Sequence, residues 1–389
     1  MNAPALPVIR LKSDRTPGHP WIWSAQVVKP ADRLPPGSVV DVEDAKGRFV
    51  GRGFWNGHAR VALRLLTTRP DERIDDGWIA ARLGRAVELR RKLLRLDEVS
   101  DAWRVVHSEG DGLSGLVVDR YANHLVVEYF AAGMWRFRET IHAELLRHFP
   151  GASLYWFAEQ HVQRQESFDV RSNDAPTAVD VHEHGLAFHA APGLGHKTGF
   201  FADQRENRRR FAALARGRRV LDLCCNAGGF AVHAMKAGAL EATGVDADAA
   251  ILEIARENAR MNGVTARFEQ GDVFEWLRGA IERGETWDAV VLDPPKLTRD
   301  RNQVINALKK YFAMNRTALD VLAPGGILLT CSCTGLVGEP DFLEMIRRVA
   351  LNAGRDIQVL DVAGAGPDHP VASNVPENRY LKAVFCRVA

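Results

Sequence analysis

The sequence predicts an α/β protein: a Rossmann-like, doubly wound C-terminal domain preceded by a small β-barrel and a central α+β insert. Three observations carry this expectation. From about residue 190 onward, apolar runs alternate with amphipathic stretches, the pattern of a parallel sheet covered by helices. The first run, Val220-Leu221-Asp222-Leu223, leads into Cys224-Cys225-Asn226-Ala227-Gly228-Gly229-Phe230, a glycine-containing strand-to-helix turn. A later run, Trp287 to Leu292, ends in Asp293-Pro294-Pro295-Lys296.

The N-terminal part holds short strand-like runs at Val39–Val42, Phe49–Phe54 and Ala59–Leu66. Turns at Pro35-Pro36-Gly37, Ala45-Lys46-Gly47 and Asn56-Gly57 separate them, a spacing that suits a closed barrel without free sheet edges. A helix is expected over Asp75–Leu96, with Ile79, Leu83, Val87 and Leu94 on its apolar face. Its Arg85, Arg90, Arg91, Lys92 and Arg95 read as a solvated face rather than a nucleic-acid contact. Strands at Trp103–Val106, Leu116–Asp119, Leu125–Tyr129 and Leu154–Phe157, with a helix from Met134 to His148, complete the insert. The expected domains are 1–73, 74–188 and 189–389.

In the last domain the expected strands are Val220–Leu223, Ala242–Val245, Ala266–Glu269, Ala289–Leu292 and Ile327–Thr330. Helices are expected at Gly229–Lys236, Ala249–Asn262, Asp272–Arg283 and Val304–Leu322.

Composition narrows the class. A chain of 389 residues with 46% hydrophobic content has material for more than one core. The net charge of +2 advertises no large field toward nucleic acid, and the bias toward Arg over Lys is weak support for RNA. No apolar run approaches the ~18 residues that span a bilayer. Five unevenly placed cysteines form neither a disulfide framework nor a zinc-ligand spacing, so no metal is expected. These features suit a protein of a reducing cytoplasm.

Open α/β sheets bind ligands at the carboxyl ends of their strands. Asp222, Asn226, Ala227, Gly228 and Gly229 occupy that place for the first strand. The glycines allow close backbone approach, and the following helix N-terminus favours a carboxylate. Asp246 ends the second strand, where an acid accepts both ribose hydroxyl protons, and Asp272 ends the third, within reach of an adenine amino group. Asp293 ends the fourth and borders both cofactor and substrate. A dinucleotide dehydrogenase shares the second-strand acid, but the first turn lacks G-x-G-x-x-G and no dehydrogenase needs Asp-Pro-Pro here. The four motifs in register point to S-adenosyl-L-methionine and a class I methyltransferase layout.

The methyl acceptor is addressed by two further segments. Exocyclic-amine enzymes carry an aromatic residue after the Pro-Pro, and here Lys296 stands instead. Gly325-Gly326-Ile327-Leu328-Leu329-Thr330-Cys331-Ser332-Cys333-Thr334 delivers cysteines to the same cleft. Carbon 5 of a pyrimidine is a poor nucleophile until a thiolate adds to C6, and cysteine serves as both nucleophile and leaving group. Cys333, nearer the open end, is the candidate nucleophile. Cys331 reads as a packed core thiol, and Cys224, Cys225 and Cys386 as core or cofactor-wall residues.

These residues resemble a family, the bacterial large-subunit ribosomal RNA methyltransferases with an N-terminal PUA domain, which make 5-methylcytosine in 23S rRNA. His19-Pro20-Trp21-Ile22-Trp23 is similar to the PUA barrel, and Gly110 through Asp119 to the central insert. Lys197 through Arg208 is similar to the opening signature of the catalytic domain. Asp293 to Lys296, Ser332 to Leu336 and Asp368-His369-Pro370 continue the match. The family's cysteine follows its Gly-Gly pair by seven positions, which from Gly326 is Cys333.

The resemblance implies a catalytic pair, Cys333 and Asp293, with Asp293 on the base edge near N3. It also implies substrate contacts at Lys296 and Arg205, and 23S rRNA or a large-subunit assembly intermediate as partner. On the barrel, Arg52 and Trp55 are candidate RNA contacts, although packing or solubilising the barrel is the favoured reading for both. It allows a homodimer, although no apolar stripe demands one. The chain departs at Cys224-Cys225-Asn226, where altered backbone contacts to cofactor are expected. Two-cysteine enzymes carry a releasing Cys where this chain has Pro295-Lys296, so the group that removes the C5 proton is unassigned. The rival readings are methylation of a guanine or adenine amine, and a non-catalytic RNA-binding assembly factor.

Overall fold

The computed structural model describes residues 5–15, 17–174, 176, 178–192 and 200–389. The chain forms two compact units, Met1–Pro176 with Pro367–Asn378, and Thr177–Gly366 with Arg379–Ala389.

The first unit begins with a barrel of β1 (Val8–Arg10), β2 (Trp21–Trp23), β3 (Ser38–Glu43), β4 (Phe49–Trp55) and β5 (Val61–Thr67), in the order β1-β3-β4-β5-β2. A bridge between Leu11 and Val27 joins the two outer strands, so the expected closed barrel forms. Ile9, Ile22, Val40, Val42 and Leu63 fill it.

The central sheet follows, β6 (Ala102–His107), β7 (Leu116–Tyr121), β8 (His124–Tyr129) and β9 (Ser153–Phe157), covered by α1 (Asp76–Glu88), α2 (Ala132–Arg136) and α3 (Arg138–His148). A short α4 (Gln160–Glu166) closes the insert. The Asp75 side chain caps α1 by accepting from the Trp78 backbone amide. Barrel and sheet are tied by buried charge: Arg64 on β5 contacts Glu109 at 3.7 Å and Glu166 at 3.1 Å.

One expectation fails in this unit. The Arg-rich end of α1 is not uniformly solvated, because the helix passes into a π-helical turn, Leu89–Leu93, that turns Arg90 inward. Arg90 is fully buried and pairs with Asp111 at 2.5 Å, while Nη2 donates to the Asp368 carbonyl at 2.6 Å. Gly110 lies beside this contact because a Cβ there would meet the Pro370 carbonyl oxygen at 2.0 Å. The Gly110-Asp111 and Asp368-His369-Pro370 motifs are therefore two sides of one structural joint.

The second unit carries a hairpin, β10 (Val179–Glu183) and β11 (Leu186–Ala190), and a seven-stranded sheet. Its strands are β12 (Arg219–Leu223), β13 (Glu241–Asp246), β14 (Arg267–Gln270), β15 (Trp287–Leu292), β16 (Leu322–Ser332), β17 (Ile357–Ala363) and β18 (Lys382–Val388). The order is β14-β13-β12-β15-β16-β18-β17. The first five are parallel, as the alternation predicts, but β18 enters antiparallel between β16 and β17. The sheet is thus mixed at one end, and its last strand pairs Lys382 with Ser332.

Helices α5 (Arg205–Ala215), α6 (Gly229–Lys236), α7 (Ala249–Met261), α8 (Val273–Glu282), α9 (Val304–Asp320) and α10 (Glu339–Ala353) complete the unit. Val290, Leu292, Tyr311, Leu328, Phe342 and Ile346 belong to the core between the strands and helices α9 and α10.

Candidate active site

The site forms where β12, β13, β15 and β16 reach their carboxyl ends. At the end of β12 the chain turns sharply into α6. Cys224, Asn226 and Gly228 take left-handed φ values of 59°, 48° and 76°. For non-glycine residues this costs roughly 1–2 kcal/mol each, so surrounding bonds must hold the turn. The Cys225 amide donates to the Val245 carbonyl at 3.0 Å, and the Gly228 amide to the Cys225 carbonyl at 2.8 Å. The Asn226 amide donates to the Asp246 carboxylate at 2.9 Å, which the Asp248 amide also meets at 3.0 Å.

Beneath the turn, Asp222 is buried. One carboxylate oxygen accepts from the Ala231 amide at 3.1 Å and the other has no hydrogen-bond partner. Burial first, then the charges of Asp293 and Asp246, push its pKa up to about 8. Asp272 follows β14 and caps α8, accepting from the Phe274 and Glu275 amides. Asp222, Asn226, Ala227, Gly228, Gly229 and Asp246 therefore cluster around one turn, with Asp272 at the neighbouring strand end.

The second half of the site surrounds Asp293 and Cys333. Because β15 and β16 are adjacent and parallel, the segments following them emerge side by side. Cys333 Sγ lies 3.9 Å from the Pro294 carbonyl oxygen. Asp293 is half-buried, and its Oδ2 accepts from Gln204 Nε2 at 2.9 Å. Gln204 is itself held, since Asn207 Nδ2 donates to its Oε1 at 2.6 Å and to the Gly364 carbonyl at 3.0 Å. Burial, and next the charge of Asp203, raise the Asp293 pKa to about 7 against the lowering hydrogen bond from Gln204.

Burial, then the charges of Asp293 and Asp203, raise the Cys333 thiol to about 11, and Lys296 opposes them. Lys382 is buried close by. Its Nζ donates to the Thr334 and Tyr380 carbonyls, each at 2.8 Å, and burial lowers its pKa to about 8 although Cys333 opposes the shift. Cys331 is fully buried, with its thiol raised well above the ordinary range by burial.

Residues 151–380 match the family model for S-adenosylmethionine-dependent methyltransferases, and residues 15–68 match that for PUA-like domains. The chain is 37% identical to ribosomal RNA large subunit methyltransferase I of Tolumonas auensis, over 95% of each chain. It is 34% identical to the protein of that name from Erwinia tasmaniensis, again over 95% of each.

The chain belongs to the ribosomal RNA large subunit methyltransferase I family. Two solved methyltransferases share its fold. SMU.776 complexed with SAH has a TM-score of 0.82 at 20% identity, covering 98% of this chain and 100% of that one. A SAM-dependent methyltransferase from Streptococcus mutans has a TM-score of 0.82 at 18% identity with the same coverage.

As a member of this family the chain is an S-adenosylmethionine-dependent methyltransferase with a PUA-like domain, and its turn fits the cofactor. The left-handed Gly228 leaves no room for a side chain, since a Cβ would meet the Phe268 ring at 2.8 Å. The half-buried Asp246 carboxylate at the end of β13 suits a ribose, and the unpartnered oxygen of Asp222 marks a polar floor under the turn.

Other sequence expectations fare differently in this family member. Lys296 is exposed beside Cys333, as a substrate contact requires. Arg205 is fully buried and pairs with Glu206 at 3.3 Å, so its side chain is not presented to a substrate. Arg52 is bound to Asp41 and to the Glu72 carbonyl, and Trp55 is buried in the barrel. Their surroundings are those of packing residues, because a β-strand alternation alone does not say which partners lie across the sheet. Lys197, Thr198 and Gly199 lie outside the described residues. Sequence reasoning missed Asp203, Gln204, Asn207, Tyr380 and Lys382 as site residues. The first three sit inside the opening signature, whereas nothing local marks the last two.

Proposed function

We propose that this chain methylates C5 of a cytosine in 23S ribosomal RNA through a covalent adduct of Cys333. The observation that carries this reading is the 3.9 Å approach of the Cys333 thiol to the peptide following Asp293, with Lys382 buried beside it. A thiol alone in such a pocket stays protonated. Burial holds this one up at about 11; Lys296 opposes that shift and Lys382 lies beside it, so both cations favour the thiolate that must form as Sγ attacks. The target base is extruded into the cleft. Cys333 Sγ adds to C6 while Asp293, whose pKa near 7 lets it carry a proton at neutral pH, donates to N3. Bound S-adenosylmethionine supplies the electrophilic methyl group. C5, made enamine-like by the adduct, becomes the methyl acceptor; deprotonation there and expulsion of the thiolate restore the ring.

Asp222, Asn226 to Gly229, Asp246 and Asp272 hold the cofactor in this reading, with Asp293 between cofactor and base. The barrel, residues 1–73, and the central domain, 74–188, hold the RNA by backbone and shape, and 189–389 perform the chemistry. The relatives' name, large-subunit RNA methyltransferase, supports that substrate. We place the reaction in the cytoplasm, on naked or partly assembled large-subunit RNA. Among the described residues no helix is long and apolar enough to cross a membrane.

The test is incubation with labelled S-adenosylmethionine and 23S rRNA from a strain lacking this gene, followed by nucleoside mass spectrometry. Label in 5-methylcytidine is expected. Label in a methylated guanosine or adenosine would overturn the cysteine mechanism.

A further inference from the structure

We infer that Asp203 is the catalytic base that removes the proton from C5, an assignment that rests on the cysteine-adduct reading above. The geometry is a closed circuit of short contacts around the thiol. Cys333 Sγ is 3.9 Å from the carbonyl of Pro294, the neighbour of Asp293. Asp293 is 2.9 Å from Gln204, the neighbour of Asp203. Asp203 Oδ2 accepts from the Tyr380 hydroxyl at 2.6 Å. The Tyr380 carbonyl meets Lys382 Nζ at 2.8 Å, and Nζ returns to the carbonyl of Thr334, the neighbour of Cys333, at 2.8 Å.

Within this circuit Asp203 has the attributes a base needs. Its Oδ2 is anchored by Tyr380, and its backbone is pinned by the Gly366 amide, which donates to the Asp203 carbonyl at 2.9 Å. Its Oδ1 is buried without a hydrogen-bond partner, a lone pair kept from water. Its charge also acts on both proposed catalytic residues, raising Asp293 and Cys333. Two neighbouring carboxyls are a common way to divide the acid and base roles of one reaction. Here Asp293 carries the proton toward N3 and Asp203 receives one from C5. The chain has no second cysteine in the Asp-Pro-Pro segment to perform the release, so another group must.

The step balances as follows. In the methylated adduct, C6 carries Sγ and C5 carries both the methyl group and its original hydrogen. Asp203 Oδ1 takes that proton. The C5–H electron pair becomes the C5=C6 bond, the C6–S pair leaves on Cys333 as thiolate, and the N3 proton returns to Asp293. Asp203 then gives its proton to water.

The experiment compares wild-type protein with Asp203→Asn and Cys333→Ser, using ordinary and 5-fluorocytidine-substituted 23S rRNA. The readout is an RNA–protein complex that survives denaturation and carries labelled methyl. Fluorine at C5 cannot leave as a proton, so wild-type protein is expected to trap on the fluorinated RNA alone. Asp203→Asn is expected to trap on ordinary RNA as well, and Cys333→Ser on neither. Release of free 5-methylcytidine RNA by Asp203→Asn at the wild-type rate would overturn the assignment. So would an Asp203→Asn protein that neither traps nor methylates while still binding cofactor. Failure of wild-type protein to trap on fluorinated RNA sinks the adduct reading itself, a different result. Should Asp203→Asn not fold, Tyr380→Phe serves: freeing Oδ2 should shift the pH profile of release while leaving adduct formation intact. An unshifted profile counts against Asp203.

Discussion

The carboxamide of Gln204 donates to the carboxylate of Asp293 at 2.9 Å, across 89 positions of sequence. This bond orients the acid that opens the Asp-Pro-Pro segment and also lowers its proton affinity. Gln204→Ala should therefore raise the Asp293 pKa further and loosen its aim. A hydrogen bond to a charged group contributes about 1.5–3 kcal/mol, so the turnover rate should fall by roughly 10- to 100-fold. Cofactor affinity by calorimetry should stay near wild type. An equal fall in both would show that Gln204 merely supports the fold.

Cys333→Ser should abolish 5-methylcytidine formation while leaving cofactor affinity and melting temperature close to wild type. Cys333 is half-buried with its Sγ 3.9 Å from the Pro294 carbonyl oxygen, and serine differs from it by one atom of similar shape, so little packing is lost. Methylation at an undiminished rate by the serine variant would exclude the covalent mechanism.

Lys382→Met keeps the buried volume and removes the cation beside Cys333. The thiol should become harder to ionise, and the rising limb of the methylation profile should move to higher pH. Iodoacetamide labelling of Cys333, followed by peptide mass spectrometry, should slow by about tenfold, the equivalent of one pKa unit. No change in labelling would mean that Lys382 acts only on the Thr334 and Tyr380 carbonyls.

Asp222 links stability to pH. Its folded-state pKa is raised from 3.8 to about 8, so between those values the unfolded chain is ionised and the folded one is not. Ionisation thus favours the unfolded state, and the stability of the cofactor-free protein falls as pH rises through that window. Asp222→Asn should remove this slope, raising the melting temperature at about pH 9 by several degrees and changing it little at about pH 4. Parallel melting curves for the two proteins would refute the assignment of a protonated Asp222.

Arg64→Ala should destabilise the barrel–insert unit by about 3–5 kcal/mol, since truncating one partner leaves buried charge unpaired. Glu109 and Glu166 are both buried, and Arg64 is their shared cation. Guanidinium unfolding of the full chain should show the loss. A shift below about 1 kcal/mol, the range of exposed pairs, would mean that water replaces Arg64 easily.

Much of the fold was legible locally. The β–α alternation placed every parallel strand of the large sheet to within a few residues, because each is a short apolar run bounded by a turn. The barrel strands β3, β4 and β5 were readable for the same reason. The hairpin of β10 and β11 and the antiparallel β18 were not. Alternation along a strand reports burial, while strand direction depends on where the previous connection leaves the chain. The Arg90 burial escaped the helical pattern because the π-helical turn at Leu89–Leu93 changes the residue's direction.

By itself the sequence determined which residues stand at strand ends, and so the cofactor turn, the Asp293 segment and Cys333. Such positions follow from local hydrophobic period and turn chemistry, which neighbours in sequence specify. Only the tertiary structure decided what surrounds the thiol. It brought Asp203 and Gln204 to Asp293, inserted β18 so that Tyr380 and Lys382 reach the same place, and withdrew Arg205 into the interior. The partner of a buried charge is whichever group the packed chain carries to it, and no local pattern encodes that distance.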